Sequence, residues 1–156
     1  MDITVIAVGK LRPYYRQAAD DYARRLRRYA SIREHEVREA SKAPSPASQR
    51  TEEAARLEAQ IDDGSMVVAL AREGAGWNSR ELARQLERWL LAARPLAVVI
   101  GGSEGLDPGL LGRAGARWSL GPLTLPHELA RVVVYEQLYR AFTILRGQPY
   151  HKGAGS

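Results

Sequence analysis

"LAVVIGGSEGLDP", residues 96–108, sets an unbroken apolar run directly against a loop carrying Gly101, Gly102, Glu104 and Gly105. A short apolar run with no polar alternation describes a strand buried on both faces, as the strands of a parallel sheet are. A glycine-rich loop at the carboxyl end of such a strand is where an open α/β sheet collects its ligands.

Outward from this strand, apolar strand-like segments alternate with helical ones. "ITVIAV" (Ile3 to Val8) is β-branched and almost wholly apolar. From Pro13 a helix is expected, because Tyr15, Ala18, Tyr22, Leu26 and Tyr29 recur three or four apart while Arg16, Arg24, Arg27 and Arg28 fall mostly elsewhere. "IREHEVRE" (Ile32 to Glu39) alternates loosely and predicts a strand nearer an edge, with His35 at the surface. "SKAPSPASQ" (Ser41 to Gln49) reads as a loop, either a lid or a long connection, leading into a helix that ends at Gly64.

"MVVALA" (Met66 to Ala71) is a third strand and "REGAGW" a loop after it. Asn78 with Glu81 begins a helix that turns Leu82, Leu86, Trp89 and Leu90 inward. "RWSL" (Arg117 to Leu120) is a short fifth strand, and a long helix runs from about Pro126 to Arg146, stopped by Gly147 and Pro149. The pattern predicts an α/β fold, a single domain with a mostly parallel sheet flanked by helices. "REGAGW", "GGSEGL" and "GPLTLPH" are the site candidates.

Composition narrows the chemistry. A chain of 156 residues, 45% hydrophobic, suffices for one well-buried core. A net charge of +5 and a pI near 9.8 open the question of a polyanionic partner. The densest basic segment is Lys10, Arg12, Arg16, Arg24, Arg25, Arg27 and Arg28, either an RNA contact or a solvated helix face. The absence of cysteine removes disulfides, thiolate metal sites and cysteine nucleophiles, and no metal is expected. No apolar run approaches the roughly 20 residues of a membrane span, and "MDITVIAVGK" lacks signal-peptide features, so a cytoplasmic protein is expected.

The glycine loop excludes two nucleotide motifs. A P-loop ends in Gly-Lys-Ser/Thr, whereas this loop offers Glu104, whose charge repels phosphate. The glycine spacing also fails the Rossmann pattern, and the loop follows the fourth strand instead of the first. Two readings stay open at this point: a tight turn needing positive φ, or a backbone approached by a flat, positively charged, adenosine-bearing molecule.

"IGGSEGL", "WSLGPLTLPH", "ARVVVYEQLYRA" and "QPYHKG", in that order, resemble the RlmH (YbeA-like) family of the SPOUT superfamily. The resemblance extends from the first strand to Lys152. It implies residues 1–152 as a SPOUT methyltransferase domain whose C-terminal part threads a trefoil knot, with 153–156 a flexible tail. It further implies S-adenosylmethionine as cofactor and methylation of N3 of a pseudouridine in the helix 69 loop of 23S ribosomal RNA. The implied partners are the assembled ribosome and a second copy of the chain. By motif match, Leu70, Gly102, Leu120, Gly121, Pro122, Leu123, Thr124 and Leu125 would hold the cofactor. Where family members often carry serine and a non-proline residue, this chain has Gly121 and Pro122, and proline removes an amide donor.

N3 of the base is an imide N–H. With a pKa two to three units above neutrality, its deprotonation costs about 3–4 kcal/mol, which a positioned base or cation offsets. His127 opens the last helix, where the N-terminal dipole disfavours positive charge; it is either a helix-cap residue or a group near the reaction. Glu136 and Arg140, one turn apart, are either a surface pair or, as the resemblance implies, an arginine that steers RNA or stabilises imide charge and a carboxylate that orients it or accepts a proton. Tyr139 reads as helix packing. Tyr150, His151 and Lys152 lie past the last helix, and the resemblance implies that this tail completes the active site across a two-fold dimer. A transfer-RNA methyltransferase of SPOUT type and a non-catalytic ribosome- or RNA-binding factor are the alternatives.

Overall fold

The computed structural model describes residues 1–152; the expected flexible tail at 153–156 lies outside them. Five strands form one sheet in the order β2-β1-β4-β3-β5, with every neighbouring pair parallel. They are β1 (Asp2–Val8), β2 (Ser31–Val37), β3 (Met66–Ala75), β4 (Leu96–Ile100) and β5 (Ala116–Trp118). The helices are α1 (Pro13–Leu26), α2 (Pro46–Glu58), α3 (Ser79–Leu91), α4 (Pro108–Arg113) and α5 (His127–Leu145).

Burial on both faces follows from the sequence of the central strands. In β1, Ile3, Val5 and Ala7 join one core and Ile6 and Val8 the other; in β4, Leu96, Val98 and Ile100 are split from Ala97 and Val99 in the same way. One core lies under α1, α3 and α5 and includes Leu26, Leu86, Trp118, Tyr135, Leu138 and Phe142. The other lies under α2 and α4, where Leu57 and Leu110 meet Val8 and Val99. Burying each such side chain contributes about 1.5–3 kcal/mol. β2 is an edge strand, as its loose alternation predicts, and His35 is half-buried on it instead of fully at the surface.

Several boundaries differ from the sequence reading. The segment read as the loop "REGAGW" continues β3 to Ala75, with a register shift between Leu70 and Ala75 against Trp118. Gly74 makes this possible: a Cβ there would stand 2.6 Å from the Arg117 carbonyl carbon. α2 begins at Pro46, capped by Ser45, whose hydroxyl accepts from Ser48 N–H at 3.1 Å, so half of the expected loop is helical. It stops at Glu58, and Gly64, at φ 80°, instead turns the chain into β3. α4 was not expected; Asp107 caps it and Pro108 starts it, but two glycines in six residues mask any periodicity. β5 ends at Trp118, leaving Ser119 and Leu120 to the loop beyond it.

Candidate active site

At the carboxyl ends of β3, β4 and β5 lies a cleft of about 810 Å³. β3 contributes Leu70, Ala71, Arg72 and Glu73, and the turn after β4 contributes Gly101 through Leu106. The connection from β5 to α5 supplies Ser119 through Gly121 and Leu123 through Pro126, while α5 adds His127 and Ala130 and α2 adds Arg50. Two of the three loops singled out in the sequence therefore converge here, joined by Arg72 and Glu73 of the third segment, which is strand and not loop. Of the residues matched to cofactor binding, Leu70, Gly102, Leu120, Gly121, Leu123, Thr124 and Leu125 line the cleft; Pro122 is exposed in the same loop and does not.

The local chemistry shapes both loops. Gly101 lets the glycine turn close on itself, since a Cβ there would stand 2.7 Å from the Gly105 carbonyl carbon, and Gly105 N–H donates to Gly102 O at 3.1 Å. In the second loop, buried Ser119 accepts from Gly121 N–H at 3.1 Å. Gly121 sits at φ 113°, a conformation open to glycine and strained for side-chain-bearing residues. Arg72 donates to the Thr124 hydroxyl at 2.7 Å, tying the β3 edge to the same loop.

The start of α5 is anchored from both sides. Glu128, buried in the first turn, accepts from Arg12 N–H at 2.6 Å and Arg12 Nε at 2.9 Å. These contacts, the backbone N–H first, hold its carboxyl below the usual range against the opposing effect of burial. One turn on, Arg131 is 1% exposed; it pairs with Glu36 and donates to Val8 O at 3.3 Å and Gly9 O at 2.8 Å. Glu34 accepts from the Tyr135 hydroxyl at 2.6 Å, and Arg16 bridges Glu34 and Glu36 at 2.7 Å each. Desolvation first, then Glu34, pushes the Tyr135 phenol well up. Arg12 and Arg16, read as RNA candidates, are thus engaged in ion pairs; Arg24 and Arg25 pair with Asp21.

A second cluster forms around the other half of α5. Arg140 Nη2 and Nε reach Glu136 Oε2 at 2.9 and 3.2 Å. The Tyr150 hydroxyl donates to the same oxygen at 2.6 Å, and His151 Nδ1 is 3.0 Å from Arg140 Nη1. The guanidinium also lies 4.7 Å from the Tyr150 ring centroid, while Tyr139 packs edge-on against that ring and is buried in the core. Burial, then the Glu136 carboxylate, raises the Tyr150 phenol well above its usual range. Lys152 is exposed beyond this cluster.

The structure therefore joins Glu136, Arg140, Tyr150 and His151, and separates them from His127. At 1.5 Å per residue, Arg140 lies about 20 Å along the helix from His127. Sequence reasoning missed Glu128, Arg131, Glu53 and Arg50. A signal existed for Arg131, a lone cation in the apolar run "LARVVV", which is improbable on a buried helix unless it is paired. Among the described residues, no group of three or more His, Asp or Glu side chains is placed to hold a metal ion, and no helix is long and apolar enough to cross a membrane.

Comparison with known proteins agrees with this geometry. The family model described as "Predicted SPOUT methyltransferase" matches residues 1–151. A protein from Anaeromyxobacter sp. (strain Fw109-5), named ribosomal RNA large subunit methyltransferase H, is 46% identical over 153 residues, covering 97% of this chain and all of the relative. A protein of the same name from Pseudomonas aeruginosa (strain LESB58) is 41% identical over 155 residues, with the same coverage. Among solved structures, a probable methylase family protein from Haemophilus influenzae Rd KW20 shares the fold, with a TM-score of 0.57 and 16% identity over 99% of this chain and 72% of that one. A five-stranded parallel sheet with its cleft at the strand ends, matched over nearly the full length, places the chain in the SPOUT methyltransferase family, among sequences named ribosomal RNA large subunit methyltransferase H.

Proposed function

We propose that the protein methylates N3 of a pseudouridine in the helix 69 loop of 23S ribosomal RNA, using S-adenosylmethionine, as a cytoplasmic homodimer acting on the assembled ribosome. The names of its relatives support the coarser statement, methylation of large-subunit ribosomal RNA. The observation that carries the finer reading is the pairing of a glycine-walled cleft with a separate cluster of Glu136, Arg140, Tyr150 and His151 on the tail.

The cleft suits a flat, zwitterionic cation. Leu70, Leu120 and Leu125 offer apolar surface for an adenine, and the backbone around Gly102 and Gly121 offers hydrogen bonds. Glu73 and Glu104 favour positive charge, while Arg50, Arg72 and Arg117 favour a carboxylate. When bound, the cofactor supplies a methyl group on a sulfonium, already a good leaving-group arrangement. The chain then has to align the acceptor nitrogen with that methyl group and leave it a lone pair.

Arg140 is fit for the second task. Its guanidinium is oriented by Glu136 and stacked on Tyr150, so a fixed positive charge stands ready for an imide that has released its N3 proton to solvent water. The Tyr150 hydroxyl, kept protonated, holds Glu136 Oε2 in place. His127 lines the cleft at the start of α5, where an acceptor presented to the cofactor would pass. With about 20 Å between Arg140 and His127 along one helix, the cluster of one protomer serves the cleft of its two-fold partner.

Methyl transfer from labelled S-adenosylmethionine tests this on three substrates: ribosomes carrying the pseudouridine, ribosomes lacking that isomerisation, and bulk transfer RNA. Label at N3 in the first alone is expected. Label in transfer RNA moves the enzyme to another SPOUT branch, and cofactor binding with no label to any RNA favours a binding-only role.

A further inference from the structure

Behind the glycine turn lies a carboxylate that the proposed chemistry does not use. Glu53, on α2, is 1% exposed. Its Oε2 accepts from Ala40 N–H at 3.0 Å and from Gln49 Nε2 at 3.1 Å. Its Oε1 is buried without a hydrogen-bond partner. That oxygen lies 3.9 Å from where a Cβ on Gly102 would stand, so it sits against the turn that walls the cleft.

An acceptor buried and unpaired costs about 1–3 kcal/mol, more for a charged group, so this oxygen calls for a partner that the present arrangement does not supply. The turn beside it is closed on itself, because Gly101 packs against the Gly105 backbone and Gly102 O accepts from Gly105 N–H. A side chain at 102 would keep it off Glu53, since Val8 Cγ1 already stands 3.0 Å from the Cβ position. α2 is also tied to the far side of the turn through Thr51 Oγ1, 3.3 Å from Asp107 Oδ1, and presents Arg50 to the cleft.

We propose that Glu53 is a positioning residue for cofactor binding: its free oxygen takes a backbone N–H of the 102–104 turn when the cleft is loaded, locking the turn onto the ligand. Through its other oxygen it couples this closure to Ala40, near the start of the β2–α2 connection. This rests on the reading of the cleft as an S-adenosylmethionine site.

Calorimetric titration of wild-type dimer and Glu53→Gln with S-adenosylmethionine and with S-adenosylhomocysteine is the direct test. The amide keeps shape and one acceptor but directs N–H groups at donors. A tenfold or larger rise in Kd for both ligands is expected, with methyl-transfer kinetics losing more in KM for the cofactor than in kcat. Equal Kd values for the two proteins overturn the proposal. Wild-type protein binding neither ligand instead overturns the reading of the cleft. Should Glu53→Gln fail to fold, hydrogen exchange on wild type decides: protection at residues 102–104 and at Ala40 on adding S-adenosylhomocysteine supports the coupling, and protection confined to the 119–126 loop overturns it.

Discussion

The Tyr150 hydroxyl donates to Glu136 Oε2 at 2.6 Å, bonding the tail of the chain back onto the middle of α5. A terminal segment would ordinarily fray. Here the phenol is held beneath Arg140, and the same carboxylate oxygen accepts from both. The tail is therefore part of a preorganised charged group, and its loss is a loss of orientation.

Tyr150→Phe keeps the ring under Arg140 and removes only the hydroxyl. Methyl transfer on ribosomes is expected to fall about 10-fold, less than the roughly 100- to 1,000-fold of removing a group that meets the developing charge directly, because the hydroxyl acts through Glu136. Cofactor Kd, set by the loop residues that line the cleft and not by the Tyr150 hydroxyl, is expected to stay within about twofold of wild type. Single-turnover kinetics with calorimetric titration checks both.

Arg131→Met removes an almost fully buried cation, leaves Glu36 with Arg16 as its remaining ion-pair partner and takes a donor from the carbonyl oxygens of Val8 and Gly9. Breaking such a pair costs about 3–5 kcal/mol. The exposed pair of Arg33 and Asp62, at 3.2 Å, serves as contrast, and Arg33→Gln is expected to cost at most about 1 kcal/mol. Urea unfolding of the two variants measures the difference.

Gly101→Ala forces a Cβ to within 2.7 Å of the Gly105 backbone, whereas Gly76→Ala meets nothing within 4 Å. Overpacking of this kind costs about 1–3 kcal/mol. The first variant is expected to unfold at lower temperature and bind cofactor at least fivefold more weakly; the second is expected to match wild type in affinity. Thermal melts with and without S-adenosylhomocysteine test the pair.

Stability against pH has two limbs. Tyr135 and Tyr150 carry raised pKa values in the folded state, so what their neutral hydroxyls contribute is present in full below about pH 10 and is lost as pH rises beyond it. Glu128 is lowered, so its contribution is present above about pH 4.3 and is lost as pH falls. Glu128→Gln is expected to flatten the acid limb of the urea midpoint against pH, and Tyr135→Phe the alkaline limb, each leaving the other limb unchanged.

The parallel sheet was legible because its central strands are apolar without interruption, and α3 and α5 because caps and stops bracket a helical period. Asn78 accepts from Glu81 N–H at 2.9 Å, and α5 spans His127–Leu145 between the expected ends. β3 ran past its apparent end because pairing with β5, remote in sequence, extended it through "REGA". α4 escaped notice because glycines hid its period.

Residue type and spacing along the chain thus sufficed for the elements, their order of alternation, the three loops at the strand ends and the families of side chain in each. These properties depend on near neighbours, which a single sequence displays. The division of the site did not lie within that reach. That His127 faces one cleft while Glu136, Arg140, Tyr150 and His151 gather elsewhere depends on how α5 lies on the sheet. That Arg131 meets Glu36, or Glu53 meets the glycine turn, depends on packing between segments far apart in the chain. Burial there makes a polar group consequential, because its partners must come from whatever the fold brings alongside.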